Sequence, residues 1–157
     1  MLITQKLWES NYELAYLSLN TKFVQGLKNG DLPKLKFQEY LAQDYFFLES
    51  FARAYGLAVS KSKNKKTIKI LSGLLSGVSE ELILHESYAK KWDIDLTTNS
   101  LEPATKKYTD FLEDVSLNLS LIEILCSMTP CMCLYSWIGK KLINMTSNNP
   151  YKEWILT

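Results

Sequence analysis

The sequence predicts an all-α fold, and three observations carry that prediction. Apolar residues recur every three or four positions over most of the chain, the spacing that gives a helix one buried face. Residues that start and stop helices bracket these stretches. Strand-period alternation and a glycine-rich dinucleotide pattern appear nowhere in the sequence. Composition agrees: 157 residues with 46% hydrophobic content and a net charge of +1 suit one folded domain with a sizeable core. Such a balance excludes a disordered chain and argues against a nucleic-acid partner.

The first helical stretch covers residues 3–28, with Leu7, Trp8, Leu14, Leu17, Phe23, Val24 and Leu27 at helical spacing and an interruption near Asn20-Thr21. Asn29-Gly30 stops it, and Asp31-Leu32-Pro33 prepares a new start. The second helix runs from Pro33 or Lys34 to Val59 and is apolar over much of its circumference, which predicts an interior position. Lys61, Lys63, Lys65, Lys66 and Lys69, spaced by Ser60, Ser62 and Asn64, read as a solvated loop leading into the third helix, 65–92. Gly73 and Gly77 share a face there and suggest a close helix contact.

A polar connection, 93–103, carries turn residues at Thr97, Thr98 and Asn99. The fourth helix is expected over 104–117. The fifth, 120–145, has Ser120 and Glu123 placed as a capping box. Thr146, Ser147, Asn148 and Asn149 lead to Pro150 and a last helix that has barely begun at Thr157. The expectation is a single domain over 1–157 whose C-terminal helices lie outside this chain, or which completes its core with another chain.

The N-terminus lacks the apolar core and cleavage site of a secretory signal, and no apolar run reaches the length of a bilayer span. Three cysteines, an odd number with two at Cys131 and Cys133, argue against a disulfide framework and for a reducing compartment, the cytoplasm.

Three features bear on chemistry. Pro130 deletes one hydrogen bond from the fifth helix and predicts a kink, with Cys131 at the bend and Tyr135 one turn further on the same face. Core packing is the other reading of that cysteine. Asp44 interrupts an aromatic segment, Tyr45-Phe46-Phe47-Leu48, and shares a face with Phe47 and Phe51. Ionised carboxylates are seldom buried without a partner, so Asp44 is either a ligand-binding acid or a salt-bridged one. Glu81 and His85 stand one turn apart, but His85 is the only histidine, so a structural contact is favoured over a metal or haem site.

Together these segments resemble the TenA family, the thiaminase II proteins of the haem-oxygenase-like helical fold. The resemblance covers essentially the whole chain. It rests on Phe23-Val24-Gln25-Gly26-Leu27 with Gly30 and Leu32-Pro33, on Phe37 with Tyr40, and on Gln43 to Leu48 with Phe51-Ala52. Glu81 with His85, Glu123-Ile124-Leu125, Pro130-Cys131, Leu134-Tyr135, Gly139 to Leu142, Pro150-Tyr151 and Trp154-Ile155 complete it.

The family hydrolyses aminopyrimidine breakdown products of thiamin, and thiamin itself, to hydroxymethylpyrimidine for salvage. By position, the resemblance implies that Cys131 is the nucleophile and that Asp44 binds the amino and ring-nitrogen edge of the pyrimidine. It implies that Tyr108 and Tyr135 line the pocket with Phe47. No metal or organic cofactor is implied, and the assembly implied is a homotetramer. Two departures stand out. Phe47 occupies a position where many members carry a tyrosine that helps activate the nucleophile. The family's proton-donating glutamate lies beyond Thr157.

Two further readings compete with the hydrolase. One is a protein of the same fold that binds a pyrimidine without turning it over, or regulates through it. The other is an oxygenase or cofactorless oxidase of the fold. A single histidine argues against the metal-dependent versions, and the Asp44, Cys131 and Tyr135 set argues against the cofactorless one.

Overall fold

In the computed structural model, residues 2–94, 100–143 and 148–156 are described. Eight helices are found among them and no strand. The chain divides into two compact units, Met1–Lys36 with Cys131–Thr157, and Phe37–Pro130.

In the first unit the expected 3–28 stretch is three short helices: α1 (Ile3–Ser10), α2 (Tyr12–Leu19) and α3 (Lys22–Asn29). The break near Asn20-Thr21 was legible, whereas the break at Asn11 was not. Each has a local cause. The Asn11 and Asn20 side-chain amides donate to the Leu7 and Tyr16 carbonyls at 2.8 and 2.7 Å, satisfying backbone acceptors that a helix end leaves open. Thr21 then caps α3, its hydroxyl accepting from the Val24 amide at 3.3 Å.

Gly30 ends α3 with φ of +80°, a left-handed conformation that suits glycine. The Gly26 carbonyl accepts from the Asp31 and Leu32 amides, both at 3.1 Å, and a Cβ on Gly26 would lie 3.1 Å from Leu32. Asn149 fastens the segment before α8 (Lys152–Leu156) to this same turn. Its amide donates to the Leu27 and Lys28 carbonyls at 2.7 and 3.0 Å, and its own oxygen accepts from the Tyr151 amide at 2.8 Å. The buried Tyr151 hydroxyl donates to the Leu32 carbonyl. Burial pushes that phenol above its ordinary pKa.

The second unit is built on α4 (Lys34–Lys61), α5 (Lys65–Trp92), α6 (Pro103–Asn118) and the first part of α7 (Leu121–Leu142). Helix α4 buries Phe37, Leu41, Leu48, Phe51, Ala54 and Ala58, recurring at intervals of three, four or seven residues, so the interior position expected for it is observed. Phe37 packs on Trp92 with ring centroids 4.8 Å apart, and the Gln38 amide donates to the Trp92 carbonyl at 2.7 Å. Asn64 caps α5 by accepting from the Lys66 and Thr67 amides at 2.8 and 3.2 Å. The α5 boundaries match the expected ones.

Several expectations are corrected. Lys61 is the last residue of α4 rather than part of a loop, and its ammonium donates to the Ser116, Leu117 and Leu119 carbonyls at 2.7, 3.0 and 2.6 Å. A cation therefore closes the C-terminal end of α6, where the helix dipole is negative. Gly73 and Gly77 make no close contact: among the described residues nothing lies within 4 Å of a Cβ at either position. Helix α7 is 22 residues long and, by length and composition, apolar enough to cross a membrane. Its charged residues, Glu123, Lys140 and Lys141, sit near its ends, which is why the apolar stretch is longer than it first reads. One such helix is weak evidence for a membrane span, because core helices pass the same test.

Helix α7 opens with the Ser120–Glu123 arrangement read from the sequence. The Ser120 amide donates to the Glu123 carboxylate at 2.8 Å. Bonds from the Ser120 side chain and backbone hold that carboxyl below the ordinary glutamate value. The helix continues through Pro130. The expected turn residues Thr97, Thr98, Asn99, Thr146 and Ser147, and the helix end near Met145, lie outside the described residues.

Candidate active site

Asp44 is the point where the second unit departs from ordinary core chemistry. It projects from the buried side of α4 and is 8% exposed. A carboxylate so placed requires a partner, and the partner is His85 of α5: Nε2 lies 2.8 Å from Oδ2 of Asp44. His85 is completely buried. Its other ring nitrogen, Nδ1, donates to the backbone carbonyl of Glu81 at 3.0 Å. The Glu81–His85 contact expected from the sequence therefore runs through the Glu81 backbone, and the carboxyl bound to the imidazole belongs to Asp44.

Electrostatics tie Glu81 to the same pair. Loss of solvent around its carboxyl pushes it above the ordinary glutamate value, and the Asp44 charge raises it further, while His85 pulls the other way. Tyr45, next to Asp44 in sequence, is also raised, first by burial and then by Glu49 and Glu86.

One turn from Asp44, Phe47 stacks on Tyr108 of α6 with centroids 5.4 Å apart and planes 12° from parallel. Phe51 meets Phe47 at 4.4 Å, and Tyr108 donates its hydroxyl to the Ser127 carbonyl of α7 at 3.2 Å. Ring stacking and that bond fix the phenol. The neighbouring Gln43 clamps the chain before α6: its amide donates to the Ser100 carbonyl and its oxygen accepts from the Glu102 amide, both at 3.0 Å.

Of the five residues read from the sequence, Asp44, Phe47 and Tyr108 thus belong to the second unit. Cys131 and Tyr135 belong to the first, on the later part of α7. Cys131 is half-buried, while Tyr135 is 52% exposed. All three cysteines are free thiols. No group of three His, Cys, Asp or Glu side chains able to hold a metal ion occurs among the described residues. A cleft of about 90 Å³ between α4 and α6, lined by Ser50, Arg53, Glu113 and Ser116 among others, includes none of the five.

His85 is the residue that sequence reading missed as a partner of Asp44. The signal was present as two halves: one titratable side chain on each of two apolar helix faces, each requiring a partner.

A model of the TENA/THI-4/PQQC family matches residues 10–157. The chain belongs to this family. An aminopyrimidine aminohydrolase of Halalkalibacterium halodurans is 36% identical over 158 residues, which cover 96% of this chain and 67% of that protein. An uncharacterised protein of Haemophilus influenzae is 35% identical over 142 residues, covering 87% of this chain and 66% of that protein. The chain thus spans about two thirds of the length of these curated relatives. Among solved structures, the TenA homologue of P. horikoshii OT3 superposes with a TM-score of 0.90 at 25% identity, over 99% of this chain and 76% of that one. The fold expected from the resemblance, the haem-oxygenase-like helical bundle of TenA proteins, is the fold observed.

Proposed function

We propose that this TenA-family protein is a hydrolase that converts aminopyrimidine products of thiamin degradation to hydroxymethylpyrimidine. The observation that carries the reading is Asp44, a buried acid held 2.8 Å from His85 on a helix whose next turn presents the stacked Phe47–Tyr108 pair. A flat heteroaromatic ring with an exocyclic amine needs those two things, an acid for its polar edge and aromatic area for its face. Curated relatives named aminopyrimidine aminohydrolase support the same chemistry.

In this reading Asp44 binds the amino and ring-nitrogen edge, and Tyr108, Phe47 and Tyr135 wall the ring. Cys131 is the nucleophile. The thiolate, rather than the thiol, adds to the ring, and the carboxyl at the ring edge assists the accompanying proton shift. The net change replaces an amine, or the thiazolium of thiamin, by water. The chemistry requires no cofactor. A homo-oligomer, a tetramer by family resemblance, and a cytoplasmic location belong to the same reading. Exposed apolar side chains on α1 and α2, Ile3, Leu7, Leu14 and Leu17 among them, support association with further protein surface.

Phe47 favours a second reading, a protein that binds the pyrimidine without turning it over. Phenylalanine keeps the ring but lacks the hydroxyl that the resemblance places there to activate the thiol. Incubating purified protein with an aminomethyl-pyrimidine and assaying hydroxymethylpyrimidine separates the two. Product supports the hydrolase, and bound but unchanged pyrimidine supports the binding protein.

A further inference from the structure

The hydrogen bonds of His85 fix how many protons the Asp44–His85 pair holds. A backbone carbonyl only accepts, so the 3.0 Å contact between Nδ1 and the Glu81 carbonyl requires Nδ1 to carry a hydrogen. That sets the tautomer: in neutral imidazole, Nε2 is then a bare acceptor. Oδ2 of an ionised Asp44 is also an acceptor, and two lone pairs 2.8 Å apart inside a buried site repel. The observed contact requires one proton between them, as a carboxylic acid donating to imidazole or an imidazolium donating to carboxylate. In both arrangements the pair is neutral overall, which reconciles an acid with its 8% exposure and a histidine with complete burial.

We propose that His85 is a positioning residue that holds this one proton within the Asp44–His85 pair, available through the Asp44 carboxyl to the ring nitrogen of a bound aminopyrimidine. The proposal rests on the hydrolase reading above. As the thiolate forms its bond to a ring carbon, the π pair of the adjacent ring C=N bond moves onto nitrogen, which takes the proton from Asp44. The pair is left as carboxylate beside neutral imidazole, with Nδ1 still bonded to the Glu81 carbonyl. Bare Nε2 then faces bare Oδ2. That contact is relieved when the proton returns as the sulfur–carbon bond breaks. Deleting the imidazole leaves Asp44 able to orient the ring edge but without the proton it shares with His85.

His85 is the only histidine in the chain, so its ring nitrogens can be read in uniformly labelled protein without assignment. The proposal expects a nitrogen-15 spectrum with one ring nitrogen fully protonated and the other at a value between bare and protonated. In Asp44→Asn, the second nitrogen should move to the bare-acceptor position. A spectrum showing Nδ1 bare and Nε2 protonated in the neutral ring overturns the proposal, whether or not the protein turns over.

The kinetic arm uses His85→Gln, whose amide can donate to Asp44 but cannot exchange a proton with it. The expected result is a fall in kcat of about 100-fold, in the range of general acid–base catalysis, with KM changed less than about three-fold. Wild-type kcat in this variant overturns the proposal while leaving the hydrolase intact. Absence of turnover in the wild type instead removes the hydrolase reading, and the nitrogen spectrum still decides whether the pair holds one shared proton.

Discussion

Nε2 of His85 lies 2.8 Å from Oδ2 of Asp44, joining α4 to α5 through the interior of the second unit. Removing either partner takes a buried hydrogen bond from the other. Asp44→Ala should therefore lower unfolding free energy by about 1–3 kcal/mol and abolish pyrimidine binding. Asp44→Asn, whose amide can donate to Nε2, should recover the stability but not the binding. Denaturant titration and calorimetric binding measured on the same two variants check both halves.

The pairing also shows where sequence reading stopped. Helix boundaries were legible because they follow from local chemistry: Asn64 capping α5, Gly30 ending α3, Ser120 with Glu123 at the start of α7. Asp44 and Phe47 stood out because an acid inside an aromatic run breaks the pattern. Asp44–His85 joins residues 41 apart, and periodicity places a residue on a face without saying which helix that face meets. Gly73 and Gly77 failed for the same reason, their face being open rather than packed. Asn11 failed because an asparagine ends a helix only when its amide turns back on the chain, as it does to the Leu7 carbonyl.

Lys61 supplies three donors to the carbonyls that close α6, those of Ser116, Leu117 and Leu119. Lys61→Met keeps the aliphatic stem and removes the cation. It should cost about 1–2 kcal/mol of stability, seen as a lower denaturation midpoint with an unchanged m-value.

Asn149 makes two bonds to the α3 turn and a third within its own segment, to the Tyr151 amide. Asn149→Ala should destabilise the first unit by roughly 1–3 kcal/mol. Hydrogen exchange should show faster exchange at the Tyr151 amide, whose acceptor is the Asn149 oxygen.

Glu81 gives a pH signature. Loss of solvent, with the Asp44 charge, raises its carboxyl above the ordinary glutamate value in the folded chain. The folded state therefore holds this proton more tightly than the unfolded state. Its contribution to stability is full below the unfolded pKa and is lost as pH rises through the folded one. Glu81→Gln should melt higher than wild type at neutral pH, with the advantage fading on acidification. Thermal melts across pH 3 to about 8 read the difference. An advantage that grows toward acid would contradict it.

In the proposed mechanism Cys131 attacks a pyrimidine whose edge is bound by Asp44. Its most direct test is parallel measurement of hydroxymethylpyrimidine release and aminopyrimidine binding in wild type and Cys131→Ser. The account predicts that the variant releases no product while its dissociation constant stays within about three-fold of wild type, a change under 1 kcal/mol. Product release from Cys131→Ser at the wild-type rate would contradict it.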